Sequence, residues 1–173
     1  FWWDRNSLHS FAFQSPLVVS ANQKRYVWTS TTGLSTLQSD PLFQVTGSGS
    51  ITGNYKTQYY LKVMICPDWL VPLPTPPSGW YDKGTYVTLT ASPIAHGIID
   101  YNFQYWIING QWQKIKQNPI QIQMNSPTIA VALYCEIDPI GDVNFDGKVD
   151  MIDIAMIAQH YGCLLYTSDA ADE

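Results

Sequence analysis

Alternation of apolar and polar side chains at every second position runs through most of the first 136 residues. That period puts successive side chains on opposite faces of an extended chain and predicts half-buried strands. His9, Phe11 and Phe13 alternate with Ser10, Ala12 and Gln14, and strand-like pieces follow at 17–20 and 24–29. Residues 31–39 read as a polar loop around Gly33, 42–46 as a further strand, and 46–54 (TGSGSITGN) as a turn-rich connection. Beyond it, Tyr59, Leu61, Val63 and Ile65 oppose Gln58 and Lys62. The proline-rich run 67–79 must be a loop, because proline removes the N–H that a ladder needs. After a turn at Asp82-Lys83-Gly84, an inward face forms from Val87, Leu89 and Ala91. A second comes from Tyr101, Phe103, Tyr105 and Ile107, ending at the hairpin signal Asn109-Gly110. Ile120, Ile122 and Met124 form a third, and Ile129, Val131, Leu133 and Cys135 a fourth. Short strands separated by turns predict an antiparallel all-β module, large enough for a modest core.

The period changes only near the end. Ile152, Ile154, Ala155, Ile157, Ala158 and Tyr161 take the spacing of one helix face, with a stop expected near Gly162. In front of this helix stand Asp142, Asn144, Asp146, Asp150 and Asp153, which are positions 1, 3, 5, 9 and 12 of a twelve-residue calcium loop. Gly147 occupies position 6, where the backbone must turn sharply, and Lys148 at position 7 offers its carbonyl. Asp153 replaces the usual, longer glutamate. A hard cation takes six to eight oxygens, and this spacing supplies them; calcium is the expected cofactor. A polar turn that binds nothing is the competing reading.

The loop and helix together resemble one repeat of a dockerin, the calcium module of secreted cellulosomal and cell-surface proteins. Residues 137–141 cannot form the entering helix of a full EF-hand, which fits a dockerin better than a calmodulin-like protein. Dockerins carry two such repeats, and one is present here. The resemblance implies a cohesin-like partner, contacted by Met151 and Ile152 just after the loop, with Ile154, Ile157 and Ala158 docking inward or onto that partner.

Composition sharpens this picture. The formal charge is −5, but Asp169, Asp172 and Glu173 lie in the tail CLLYTSDAADE, leaving −2 for residues 1–162. The loop 142–153 holds four Asp and one Lys, so the remainder stands at +1 and the acidity sits where a cation would bind. No basic stripe points to nucleic acid, and no run is long and apolar enough for a membrane span. Charged residues at 13% and aromatics at 14% suit an extracellular or cell-surface β-rich protein. The tail 163–173 resembles the translation of a sequencing adapter, and Phe1 opens no signal peptide; the chain reads as an internal fragment.

An internal repeat organises the β region. Residues 40–55 parallel 118–134, with Pro41, Leu42 and Ile51 matching Pro119, Ile120 and Ile129 at an offset of 78. Tyr26 and Trp28 echo Tyr101 and Phe103 at an offset of 75. Fixed-period similarity signals a tandem array. GWYDKGTYVTLTA, YNFQYW with its Asn-Gly turn, NPIQIQM and TIAVALY resemble the divergent internalin-type B repeats of microbial surface proteins, which act as spacers or adhesion modules. The proline loop 70–78 is longer than the turn usual there.

The expected fold class is therefore mainly β: antiparallel β-repeat modules followed by a short loop-helix calcium-binding element. The expected division is 1–54 a partial module, 55–136 a complete one, 137–162 half a dockerin, and 163–173 a non-native tail. No catalytic group is selected. His9, His96 and His160 lack partners at metal or triad spacing. Asp68, Asp82 and Asp100 fall in or beside turns, where Asp is favoured locally. Cys66 and Cys135 leave two readings open, a disulfide or two buried thiols. Trp69, Trp80, Trp106 and Trp112 invite a carbohydrate-stacking reading, with cell-surface polysaccharide as partner. The core reading is preferred for Trp80 and Trp106, with Trp69 and Trp112 edging a loop and a hairpin. Three functions compete: a non-catalytic surface and assembly module, the accessory end of a secreted polysaccharide-degrading or proteolytic hydrolase, and a carbohydrate-binding β module.

Overall fold

The computed structural model describes residues 2–136 and 149–162, the side chains of 157–162 excepted. Among the described residues twelve strands and one helix follow in order: β1 Leu8–Ala12, β2 Leu17–Ser20, β3 Lys24–Gly33, β4 Ser39–Gln44, β5 Ile51–Cys66, β6 Gly79–Asp82, β7 Tyr86–Leu89, β8 Ile94–His96, β9 Asp100–Ile108, β10 Gln111–Trp112, β11 Ile120–Gln123, β12 Thr128–Glu136 and α1 Met151–Gly162. The alternating stretches are strands as expected, and the fold is mainly β. Two inward faces differ from expectation: β12 buries Thr128, Ala130, Ala132 and Tyr134 rather than Ile129, Val131, Leu133 and Cys135, and β9 passes from Tyr101 and Phe103 to Trp106 across a bulge.

β5 is the spine. Tyr59 pairs with Lys24 of β3 and with Tyr81 of β6, so these two strands lie on opposite edges of β5. Leu61 pairs with Gly79 of β6 and with Thr128 of β12, so β12 lies on the same edge as β3, one after the other. From β12 the sheet runs on through β9 to β10, and from β3 to β2. The expectation of purely antiparallel pairing fails at one place: β12 runs parallel to β5, Thr128↔Leu61 to Leu133↔Cys66. Residues 46–54, read as a connection, also divide differently. Ile51–Asn54 is already strand, and β5 continues unbroken through position 55.

Hydrogen bonds show one wiring used twice. Ser7 N–H to Asp4 C=O (3.1 Å), Asn6 N–H to Val45 C=O (2.8 Å) and Val45 N–H to Ser7 C=O (3.1 Å) close the turn before β1. Thr85 N–H to Asp82 C=O (3.1 Å), Gly84 N–H to Met124 C=O (2.9 Å) and Met124 N–H to Thr85 C=O (2.9 Å) close the turn before β7. Asn6 and Gly84 hold the same left-handed conformation, φ 67° and 87°. β1–β4 then corresponds to β7–β11, and β2–β3–β5 to β8–β9–β12. The ladders β3–β5 and β9–β12 share a bulge that sets Tyr55 opposite Trp28 and Tyr134 opposite Phe103. That register makes Ile51 the counterpart of Ala130, one residue from the sequence match with Ile129.

The two copies are unequally filled. The second holds the core: Leu61, Leu70, Leu89, Trp106 and Met124 are essentially inaccessible, with Ile65, Val87, Phe103, Ile120 and Tyr134 packed around them. Full burial of each such side chain contributes about 1.5–3 kcal/mol. The proline loop is docked rather than loose. It buries Leu70, and Thr75 exchanges two 2.8 Å backbone bonds with Thr90. Among the described residues of the first copy only Phe43, Val45 and Thr31 are buried, and Thr31 stands at the ladder position that Trp106 fills in the second.

Candidate functional site

Of the six residues expected to ligate calcium, Asp150 and Asp153 lie within the described structure. Asp142, Asn144, Asp146 and Lys148 lie outside the described residues. Asp150 sits immediately before α1, and its Oδ1 accepts the Ile152 N–H at 2.8 Å. Asp153 Oδ2 in turn accepts the Asp150 N–H at 2.8 Å. The first N–H groups of a helix have no partner within it, and this reciprocal pair satisfies two of them. Both carboxylates also stand at the positive end of the helix macrodipole. Asp153 is fully buried.

The two acids are thus a capping box, a role missed when they are read only as ligands. An Asp three residues before another Asp, ahead of an apolar run, is the sequence signal. Capping and ligation are compatible, because an ionised carboxylate has two oxygens and about four acceptor sites. Among the described residues no group of three His, Cys, Asp or Glu is assembled for a metal.

Beyond the cap, the helix is bare where it is described. Met151 is 74% exposed and Ile152 56%, and Val149, Ile154 and Met156 are exposed too. Ile154 is therefore not docked inward. Ile157 and Ala158 lie where no side chains are described.

The other candidates take these places. Cys66 and Cys135 are exposed free thiols, so neither a disulfide nor a pair of buried thiols is formed. Cys66 pairs with Leu133, two residues short of Cys135. His96 Nδ1 meets Asp100 Oδ1 at 2.7 Å across the β8–β9 hairpin, an exposed partnership the sequence reading did not foresee. His9 stacks on Trp3 at 4.2 Å and bonds the Ser7 hydroxyl at 2.8 Å. Asp82 binds Lys56 Nζ at 2.9 Å and Gln58 Nε2 at 2.7 Å; the Gln58 amide, then the Lys56 ammonium, hold its carboxyl below the ordinary carboxylate range. Trp106 is core. Trp80 is half-buried, with the Arg25 guanidinium 4.5 Å above its ring. Trp69 and Trp112 are 65% and 63% exposed, as expected for a loop and a hairpin edge. No helix among the described residues is long and apolar enough to cross a membrane.

The chain matches no family model, and comparison with curated proteins and with solved structures finds no match.

Proposed function

We propose that this chain is a non-catalytic part of a secreted or cell-surface protein, in which β-repeat units form a stalk or adhesion segment and a dockerin-like calcium element recruits a cohesin-type partner. The observation that carries the reading is the junction of loop and helix. Asp150 and Asp153, at loop positions 9 and 12, are fixed against the start of α1, and Met151 and Ile152 beside them are exposed. Calcium held by Asp142, Asn144, Asp146, the Lys148 carbonyl, Asp150 and Asp153 would neutralise the acidic cluster and hold the helix in a set direction. The exposed apolar residues then offer the area a partner buries.

Calorimetric titration with calcium tests this. A single repeat without a companion is expected to bind more weakly than micromolar, and Asp142→Ala is expected to abolish the heat. Sub-micromolar binding would contradict the half-dockerin, and no binding at millimolar calcium would remove the metal from the reading. The exposure of Trp69 and Trp112 supports a second reading, carbohydrate binding by the β units. A glycan array separates it: signal lost in Trp69→Ala and Trp112→Ala favours sugar, and no signal in the parent chain rejects it.

A further inference from the structure

The two copies of the wiring differ in one component. In the second, β12 lies between β9 and residues 61–66 of β5, and β5 also supplies the pairing partner of β6 through residues 58–61. Leu61, Val63 and Ile65 alternate inward from this stretch, and Leu61 and Ile65 belong to the second core. In the first copy the counterpart of β12 is the start of β5. Leu34 N–H bonds the Ser50 carbonyl at 3.0 Å, so Ser50, Thr52 and Asn54 direct their backbone groups to β3. Ile51 and Gly53 direct theirs to the opposite edge. No strand among the described residues pairs there.

Two further observations fall at the same place. Trp2, Trp3 and Asp4 correspond to Trp80, Tyr81 and Asp82 of β6, yet they form no strand, and Trp2 is completely exposed. Beside them a cleft of about 480 Å³ opens, lined by Trp2, Trp3, Phe11, Phe13, Leu34 and Ile51 among others. The open edge, the unpaired tryptophan segment and the cleft all mark the position that residues 58–66 occupy in the second copy.

We infer that the first copy is completed by a strand of the same chemistry as residues 58–66, supplied by another unit of this repeat placed ahead of Trp2. The strand runs parallel to the start of β5, with the equivalents of Val63 and Ile65 opposite Ile51 and Gly53. Its inward aliphatic side chains enter the cleft, and its first residues pair with Trp2 to Asp4. Each unit of such an array is thus closed by the unit before it, through main-chain bonds along an edge and alternate apolar side chains in a pocket. The inference draws on the repeat half of the proposed function and on none of the calcium reading, so a failed calcium titration leaves it standing.

The test fuses a copy of residues 55–78 directly ahead of Phe1 of the full chain, which restores the spacing found between β5 and β6. Amide exchange at Ile51 and Gly53 is expected to slow at least about tenfold, and tryptophan emission to shift to the blue. A second fusion, with Asp at the positions copied from Leu61 and Ile65, is expected to give neither effect. Unchanged exchange at Ile51 and Gly53 in the first fusion would overturn the inference. So would equal protection by both fusions, or protection in the unfused chain that rises with protein concentration, which indicates edge-to-edge self-association.

Discussion

Tyr134 is 3% exposed, and its hydroxyl donates to the Ser92 carbonyl at 2.7 Å, tying β12 to the turn before β8. Burial pushes its pKa above the ordinary tyrosine value. A raised folded pKa means a contribution that is whole below the unfolded value, about 10, and lost as pH rises through the folded one. Tyr134→Phe is expected to cost about 1 kcal/mol in urea unfolding at neutral pH and to flatten the fall in stability above about pH 10. Asp82 has the opposite sign. Its lowered pKa contributes above the unfolded value, about 3.9, and the contribution disappears as pH falls through the lower folded one. Both members of the Lys56–Asp82 pair are 44% exposed, so solvent screening keeps the ion pair below about 1 kcal/mol. Lys56→Ala is expected to reduce the loss of stability on acidification, measured as unfolding midpoint between neutral and acid pH. At Gly53, an added Cβ would meet the Phe13 ring at 2.6 Å. Gly53→Ala is expected to destabilise by about 1 kcal/mol, near the low end for overpacking, because that ring is only half-buried and can turn aside.

At the level of single elements, the first turn of α1 separates capping from metal binding. Asp150→Ala removes the acceptor for the Ile152 N–H and is expected to cost the helix about 1 kcal/mol in the absence of metal. The readout is a fall in helical circular dichroism with chelator present; no change would show that the cap contributes nothing. β7 and β11 were legible, face included, because each has one buried face and the pattern follows from the pleat. β9 and β12 were legible as strands, but their inward faces were not: β12 buries the small Ala130 and Ala132 with Thr128 and Tyr134, and the bulge at Gln104 turns Trp106 inward in place of Tyr105 and Ile107. β8 was missed. Its three residues, Ile94–His96, follow a proline and are too short to show a period. The start of β5 was missed for a related reason. Gly53 and Asn54 read as turn residues, but pairing with β3 overrides that local preference, and Gly53 is the close approach that leaves room for Phe13. The two acids of the capping box stood out by their spacing, which was read as that of ligands, while their helix-capping bonds depend on where α1 begins.

For the whole molecule, the burden of stability falls on the second copy. Trp106→Ala is expected to cost about 3–5 kcal/mol, since the indole is fully enclosed and a cavity would remain. The same substitution at the exposed Trp112 is expected to change the urea midpoint little. The sequence by itself determined the β class, most strand positions, the turns at Asp82–Gly84 and Asn109-Gly110, and the existence of a repeat, because each follows from neighbours in the chain. The correspondence of FWWDRNSL with GWYDKGTY was there to be read, 78 residues apart, and extends the repeat to the first residues. Only the tertiary structure decided that β12 runs parallel to β5, that β3 and β12 share one edge of it, and that the first copy has an edge no described strand pairs with. Strand direction and edge occupancy are set by which distant segments meet and bury each other, and side-chain alternation is the same for a parallel and an antiparallel neighbour.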